Sequence, residues 1–152
     1  MKQRPDGQSP RALDTGTPER VAFLLCGGLG TRLRSLTDRP KAILEVAGWP
    51  FLRYQLEAIR HARFDRTVFL TGHGAEEIER VFGPATSARV FFRESEPLGT
   101  AGALAHARHL AGSMNWVANA DSFADVDPAD LLSGAAPDHA LILAIDVDDR
   151  SD

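Results

Sequence analysis

Arg32 and Lys41 lie close to Gly27-Gly28-Leu29-Gly30, which places three glycines in four positions. Glycine admits positive φ and lets a backbone approach a ligand with no Cβ in the way. Successive backbone N–H groups in such a loop form an anion-binding nest. A glycine loop beside two cations is therefore a chemistry for polyphosphate. The same residues would also serve as a tight strand-to-helix turn with two surface cations, because short glycine motifs recur widely. Three further sets of polar residues bear on the choice: Glu94, the stretch Gly99-Thr100, and Asp121.

The elements around them follow a regular alternation. Val21-Ala22-Phe23-Leu24-Leu25, with Cys26, reads as a buried strand that delivers the glycine loop. Pro40 stiffens the chain in front of Lys41. Residues 42–46 are short and apolar, and Gly48-Trp49-Pro50 reads as a turn. Leu52, Leu56 and Ile59 recur at helical spacing. Residues 67–70 form a second strand that ends at Thr71-Gly72-His73-Gly74. A helix then carries Ile78, Val81 and Phe82 on one face and stops at Gly83-Pro84. Residues 89–92 form a third strand, and an alanine-rich helix runs over 100–110. Residues 115–120 form a fourth strand that delivers Asp121. Asp127-Pro128 opens a fourth helix, with an aspartate cap and proline at the first helical position. Residues 140–147 read as a fifth strand. Strands alternating with helices predict βαβ units and a mostly parallel sheet. In such a sheet ligands bind beyond the carboxyl ends of the strands. The glycine loop, residues 94–100 and Asp121 all fall on that edge, which favours the polyphosphate reading.

Composition sets the outer bounds. The chain has 152 residues, with 43% hydrophobic and 25% charged, enough for one domain with a sizeable core. Net charge of −4 implies no general affinity for nucleic acid, so a phosphate site must be local. Cys26 is the only cysteine, which excludes an internal disulfide and fits a reducing cytoplasm. No apolar run approaches the roughly 20 residues of a membrane helix. Residues 1–19 are polar and rich in proline and glycine, read as a flexible tail without a signal-peptide apolar core. The domain is read as residues 20–152.

Several classes are disfavoured. Gly28-Leu29-Gly30-Thr31-Arg32-Leu33 lacks the third glycine of a dinucleotide fingerprint, and strand two ends without a carboxylate. No P-loop sequence is present. His106 and His109 lack the further ligands of a zinc site. His73 reads as a loop histidine, and Asp146, Asp148 and Asp149 as a solvated acidic end.

Gly27-Gly28-Leu29-Gly30-Thr31-Arg32-Leu33 followed by Pro40-Lys41 resembles the signature of sugar-phosphate nucleotidyltransferases. Glu96-Pro97-Leu98-Gly99-Thr100-Ala101-Gly102-Ala103-Leu104 is similar to their second nucleotide-binding segment. Asn119-Ala120-Asp121-Ser122 resembles their metal motif, with Ala120 in place of glycine. The resemblance spans about residues 20–149 and is closest to heptose-1-phosphate and mannose-1-phosphate guanylyltransferases. It implies the nucleotidyltransferase fold, a Rossmann-like α/β three-layer sandwich with a mostly parallel sheet.

The reaction implied is attack by a sugar 1-phosphate oxygen on the α-phosphorus of a nucleoside triphosphate. A nucleotide-sugar and pyrophosphate result, as in polysaccharide precursor biosynthesis. The attacking oxygen is already anionic, so the protein's task is positioning and charge stabilisation. The resemblance puts Arg32 and Lys41 in the catalytic role of handling phosphate, and Asp121 on Mg²⁺. Leu25, Gly27, Gly28, Gly30, Thr31, Gly99 and Thr100 line the nucleotide site, and Asn119 and Ser122 support the metal loop. Glu94 is the base reader: a carboxylate accepts from guanine N1–H and N2–H together, a donor pair that adenine and thymine lack, so GTP is favoured. A non-catalytic nucleotide sensor would keep the glycine loop without needing Asp121, and other acceptors such as phosphocholine are further alternatives. Oligomerisation is left open.

The family continues beyond the span matched here, and its later half supplies sugar-phosphate contacts and a second metal-binding aspartate. The chain is thus expected to bind nucleotide weakly and to turn over poorly on its own. Coupled pyrophosphate detection with GTP, Mg²⁺ and sugar 1-phosphates checks this. Release at ordinary enzyme rates from the 152-residue chain would overturn it.

Overall fold

The computed structural model describes residues 19–28, 37–136 and 139–144. The tail at 1–18, the loop residues Gly30, Thr31 and Arg32, and the acidic end at Asp146, Asp148 and Asp149 lie outside the described residues.

Strand β1 (Arg20–Leu25) is buried on both faces, as an apolar run without alternation requires. It pairs in parallel with β4 (Arg66–Thr71) on one side and β6 (Met114–Asn119) on the other. Strand β5 (Arg89–Arg93) pairs in parallel with the far side of β4. The order is β5-β4-β1-β6, so the chain builds outward from β1 in one direction and then returns to its other side. That reversal is a topological switch point between β1 and β6, and such a point leaves a crevice at the carboxyl ends of the strands.

Two apolar layers sandwich the sheet. Ala22, Leu24 and Cys26 of the first strand and its extension, with Phe69, pack against Leu52 and Ile59 of α1 (Leu52–His61) and Ile78 of α2 (Ala75–Phe82). Val21, Phe23, Val68 and Leu70 pack on the opposite face against Ala103 and Ala107 of the segment beginning with α3 (Gly99–His106). The alternation along β1 and β4 is the period of a pleated strand. Alanines on α3 allow its backbone to lie close to the sheet. Helix α4 (Pro128–Ser133) lies beside β6. Asp127 caps it, accepting from the Ala129 N–H at 2.8 Å, as the Asp-Pro pair predicts. No described helix is long and apolar enough to cross a membrane.

Two local expectations are corrected. Trp49–Pro50 is a short strand, β3, antiparallel to β2 (Glu45–Val46), and the turn is Ala47-Gly48 instead. Both turn residues have positive φ, 51° and 83°, the geometry of a two-residue hairpin whose twist matches its strands. Pro50 is tolerated because β3 is an edge. The expected fifth strand is not formed over residues 140–144, and 145–147 lie outside the described residues. Leu141, Ile142 and Leu143 are exposed. Their apolar character, β-branched at Ile142, expresses a fit to a pleated, half-buried surface, and this stretch lies against no described strand.

Phe69 is fully buried, with its ring 4.8 Å from Phe91 and 5.7 Å from Phe82 between centroids. Phe69→Ala should cost about 3–5 kcal/mol in urea denaturation. Val81, read with Ile78 and Phe82 on one face of α2, is exposed at the edge of that face, and Val81→Ala should stay within about 0.5 kcal/mol. Equal costs would mean that this aromatic layer is not the core.

Candidate functional site

The residues beyond β1 and β6 form the crevice that the topology demands. Cys26 N–H donates to the Leu70 carbonyl at 2.8 Å, which continues the pairing of β1 with β4 one residue past the strand. Ala120 N–H donates to the Leu25 carbonyl at 3.1 Å, which does the same on the β6 side. The chain then diverges and leaves a cleft of about 470 Å³. Leu25, Gly27, Gly28, Lys41, Glu94, Gly99, Thr100 and Asp121 all line it. The structure therefore brings together every site residue read from the sequence except Gly30, Thr31 and Arg32, which lie outside the described residues.

Lys41 reaches the cleft from a stiff base. Residues Lys41–Ile43 form a 3-10 turn closed by Ile43 N–H to the Pro40 carbonyl at 3.1 Å, with Ala42 and Ile43 buried. Arg39 Nε donates to Glu77 Oε1 on α2 at 2.8 Å. Pro40 packs on Gly74, which has φ of 72° and begins α2. A Cβ at Gly74 would run into the Pro40 ring. The Lys41 Nζ lies 3.4 Å from Asp121 Oδ2, and both side chains are partly exposed.

Asp121 sits on the turn after β6. Ser122 N–H donates to the Asn119 carbonyl at 3.3 Å, and Ser122 Oγ lies 3.5 Å from Asp121 Oδ1. Asn119 and Ser122 thus shape the turn. Gln55 of α1 contributes more than either. Its Nε2 donates to the Asn119 carbonyl at 2.6 Å and also to the Ser122 carbonyl. The sequence reading missed Gln55, although a signal was present: it falls on the stripe of Leu52 and Ile59, where an apolar residue belongs.

Glu94 follows β5, with its N–H on the Thr71 carbonyl at 2.8 Å. Its carboxylate lies against Gly27 and Gly72. It separates the main cleft from a second hollow lined by Gly72, His73, Arg93, Ser95 and Glu96. Helix α3 starts at this point without a side-chain cap, because Leu98 precedes it. Its first N–H groups and its dipole thus face the cleft at Gly99 and Thr100, an arrangement that suits anions. His106 and His109 pack edge-on against Phe92, at 5.3 and 5.7 Å between centroids, away from this chemistry.

Cys26 is buried in the floor of the cleft. Burial, and then the charge of Asp121, push its thiol up to about 12. It stays protonated at neutral pH and is no nucleophile.

The donor set fits Mg²⁺, which typically takes one or two carboxylates and completes its shell with phosphate and water oxygens. Asp121 supplies one such carboxylate at the cleft. No cluster of three His, Cys, Asp or Glu side chains gathers among the described residues, so they build no all-protein cage.

Comparison with known proteins bears on the family. The family model for nucleotidyl transferases matches residues 21–152. The mannose-1-phosphate guanylyltransferase catalytic subunit beta of Drosophila melanogaster is 37% identical over 112 residues, 68% of this chain and 30% of its own length. The D-glycero-alpha-D-manno-heptose 1-phosphate guanylyltransferase of Campylobacter jejuni is 32% identical over 109 residues, 70% of this chain and 49% of its own. The solved structure of HddC from Yersinia pseudotuberculosis, complexed with GMP-PN, superposes with a TM-score of 0.65 at 32% identity. It covers 74% of this chain and 52% of its own. The chain therefore spans about half, or less, of the length of these relatives.

The seating of Pro40 on Gly74 can be tested by comparison with Gly48, which also has positive φ but open space around it. Gly48→Ala should cost only the left-handed strain of about 1–2 kcal/mol. Gly74→Ala should cost a further 1–3 kcal/mol or so from the clash with Pro40. Equal losses in chemical denaturation would show that Pro40 does not rest on Gly74.

Proposed function

Because the chain belongs to the nucleotidyl transferase family, we propose that it forms the nucleotide half of a sugar-1-phosphate guanylyltransferase. The reaction passes GMP from GTP to a sugar 1-phosphate and releases pyrophosphate. The observation that carries this reading is the convergence of Lys41, Asp121, Glu94 and the start of α3 on one cleft at the switch point.

The roles follow from the chemistry of each group. A sugar 1-phosphate oxygen attacks the α-phosphorus, the bond from that phosphorus to the bridging oxygen breaks, and pyrophosphate leaves with the electron pair. No protein base is needed, since the nucleophile is already anionic. Lys41, with Arg32, holds negative charge as it shifts toward the leaving group, a contribution on the order of several kcal/mol. Backbone N–H groups at Gly27, Gly28, Gly99 and Thr100 receive phosphate or base oxygens, while Leu25 walls the pocket. Gly30 and Thr31 belong to the same loop. Asp121 would hold Mg²⁺, which when bound neutralises phosphate charge. Glu94 accepts from guanine N1–H and N2–H. The guanylyltransferase names of two relatives and the GMP-PN complex of a third support the choice of base.

A thermal-shift panel of the four nucleoside triphosphates with Mg²⁺ tests this. GTP near 100 times its dissociation constant should stabilise the chain by about 2.7 kcal/mol, on the order of 5–10 °C. Lys41→Met should remove most of that shift, and Asp121→Asn should remove its dependence on Mg²⁺. A uniform response to all four nucleotides would overturn the role of Glu94. A shift that Asp121→Asn leaves intact would favour a sensor over an enzyme.

A further inference from the structure

We propose that Gln55 is a positioning residue that fixes the direction of the Asp121 carboxylate. The proposal rests on the reading of Asp121 as the metal-holding residue. Gln55 stands on α1, 66 positions before Asp121 in the chain, and does not line the cleft. A carboxamide nitrogen carries two protons. Gln55 directs both at main chain, to the carbonyl of Asn119 at 2.6 Å and to that of Ser122. Those residues flank Asp121, two positions before it and one after. One planar group therefore holds both ends of the turn that sets the path of the Asp121 backbone.

The rest of the environment argues against a purely packing role. Gln55 is 8% exposed and shares its helix face with Leu52 and Ile59, which are buried. Its Oε1 is buried and meets no donor among the described residues. A leucine or methionine would fill the same space without a stranded Oε1, but it would give up both bonds to the turn. Packing alone therefore disfavours a carboxamide here, whereas clamping the turn requires its two protons. Among the described residues, the Asp121 side chain itself is held only loosely, by Lys41 at 3.4 Å and Ser122 Oγ at 3.5 Å. Its aim depends chiefly on the turn beneath it. Removing an outer group that fixes the orientation of a metal ligand typically costs about 10- to 100-fold in metal affinity.

The test is Mn²⁺ binding to the 152-residue chain with GTP present, read by electron paramagnetic resonance, for wild type, Gln55→Met and Asp121→Asn. Gln55→Met should weaken Mn²⁺ binding about 10- to 100-fold, while the ligand-free melting temperature changes little, because removal of the stranded Oε1 offsets part of the loss of two bonds to the turn. Asp121→Asn should lose the site. If Asp121→Asn loses Mn²⁺ and Gln55→Met keeps wild-type affinity, or only melts earlier, the positioning role is overturned and the metal reading stands. If Asp121→Asn binds like wild type, or wild type adds nothing to binding by GTP alone, both fall. Wild type supplies a check that needs no folded Gln55 variant. The two Gln55 side-chain amide protons should exchange slowly with water, and their NMR signals should shift on adding Mg²⁺ and GTP. Fast exchange, or no shift, would overturn the proposal.

Discussion

The cleft depends on β1 being hydrogen-bonded along both edges. A parallel strand in that position has no face or edge left for water, so its sequence must be apolar throughout, as Val21 to Leu25 are. Pairing with β4 and β6 runs in register to the last residue, Leu25 opposite Leu70 and Asn119. Three chains therefore finish at one level, and their loops open together. Glycines after β1 and β4 and the aspartate turn after β6 occupy one edge because the register leaves them nowhere else. One more pairing, β5 with β4, brings Glu94 to the same level.

The charges within the cleft are balanced against one another. Lys41 and Asp121 arrive from opposite sides of the crevice and meet at 3.4 Å. Lys41 keeps about a third of its side-chain exposure and Asp121 nearly half, so the pair is screened by water and worth about 0–1 kcal/mol. Such a pair separates at little cost. In the proposed reaction the two groups change partners, Lys41 toward phosphate and Asp121 toward a metal ion, without first dismantling a strong interaction. Cys26 lies beneath them as a neutral, buried wall, and the carboxylate of Asp121 helps to keep it protonated.

What could be read from the sequence divides along physical lines. Strands and helices that are buried by their own periodicity were legible, as were the Asp127-Pro128 cap and the polar residues at the strand ends. Each of these is a local pattern with a local cause. The Ala47-Gly48 turn was placed one residue late because an alanine at positive φ carries no local mark, and only the pairing of β2 with β3 imposes it. Residues 140–144 have the composition of a strand but pair with no described strand, and composition cannot supply a neighbour. Gln55 was legible only as an anomaly, a polar residue on an apolar stripe, since the Asn119 and Ser122 carbonyls that it serves come from more than sixty positions away.

The two described glycines of the loop differ in what surrounds them. Neither Gly27 nor Gly28 has positive φ, so conformational freedom is not why glycine stands at either position. At Gly27 a Cβ would lie 3.4 Å from the Glu94 carboxylate and 3.7 Å from the Gly72 nitrogen. Gly72 returns the contact, with its own Cβ position 3.4 Å from the Gly27 Cα. The loops after β1 and β4 thus meet backbone to backbone, and Glu94 rests in the notch between them. These are ordinary contact distances, so a Cβ at Gly27 would touch Glu94 and Gly72 without a clash. A Cβ at Gly28 would meet nothing within 4 Å among the described residues, although the residue lines the cleft. The described residues thus give no steric reason for glycine at either position. A ligand backed closely against the chain would supply one at both, and the case for a phosphate cradle rests there.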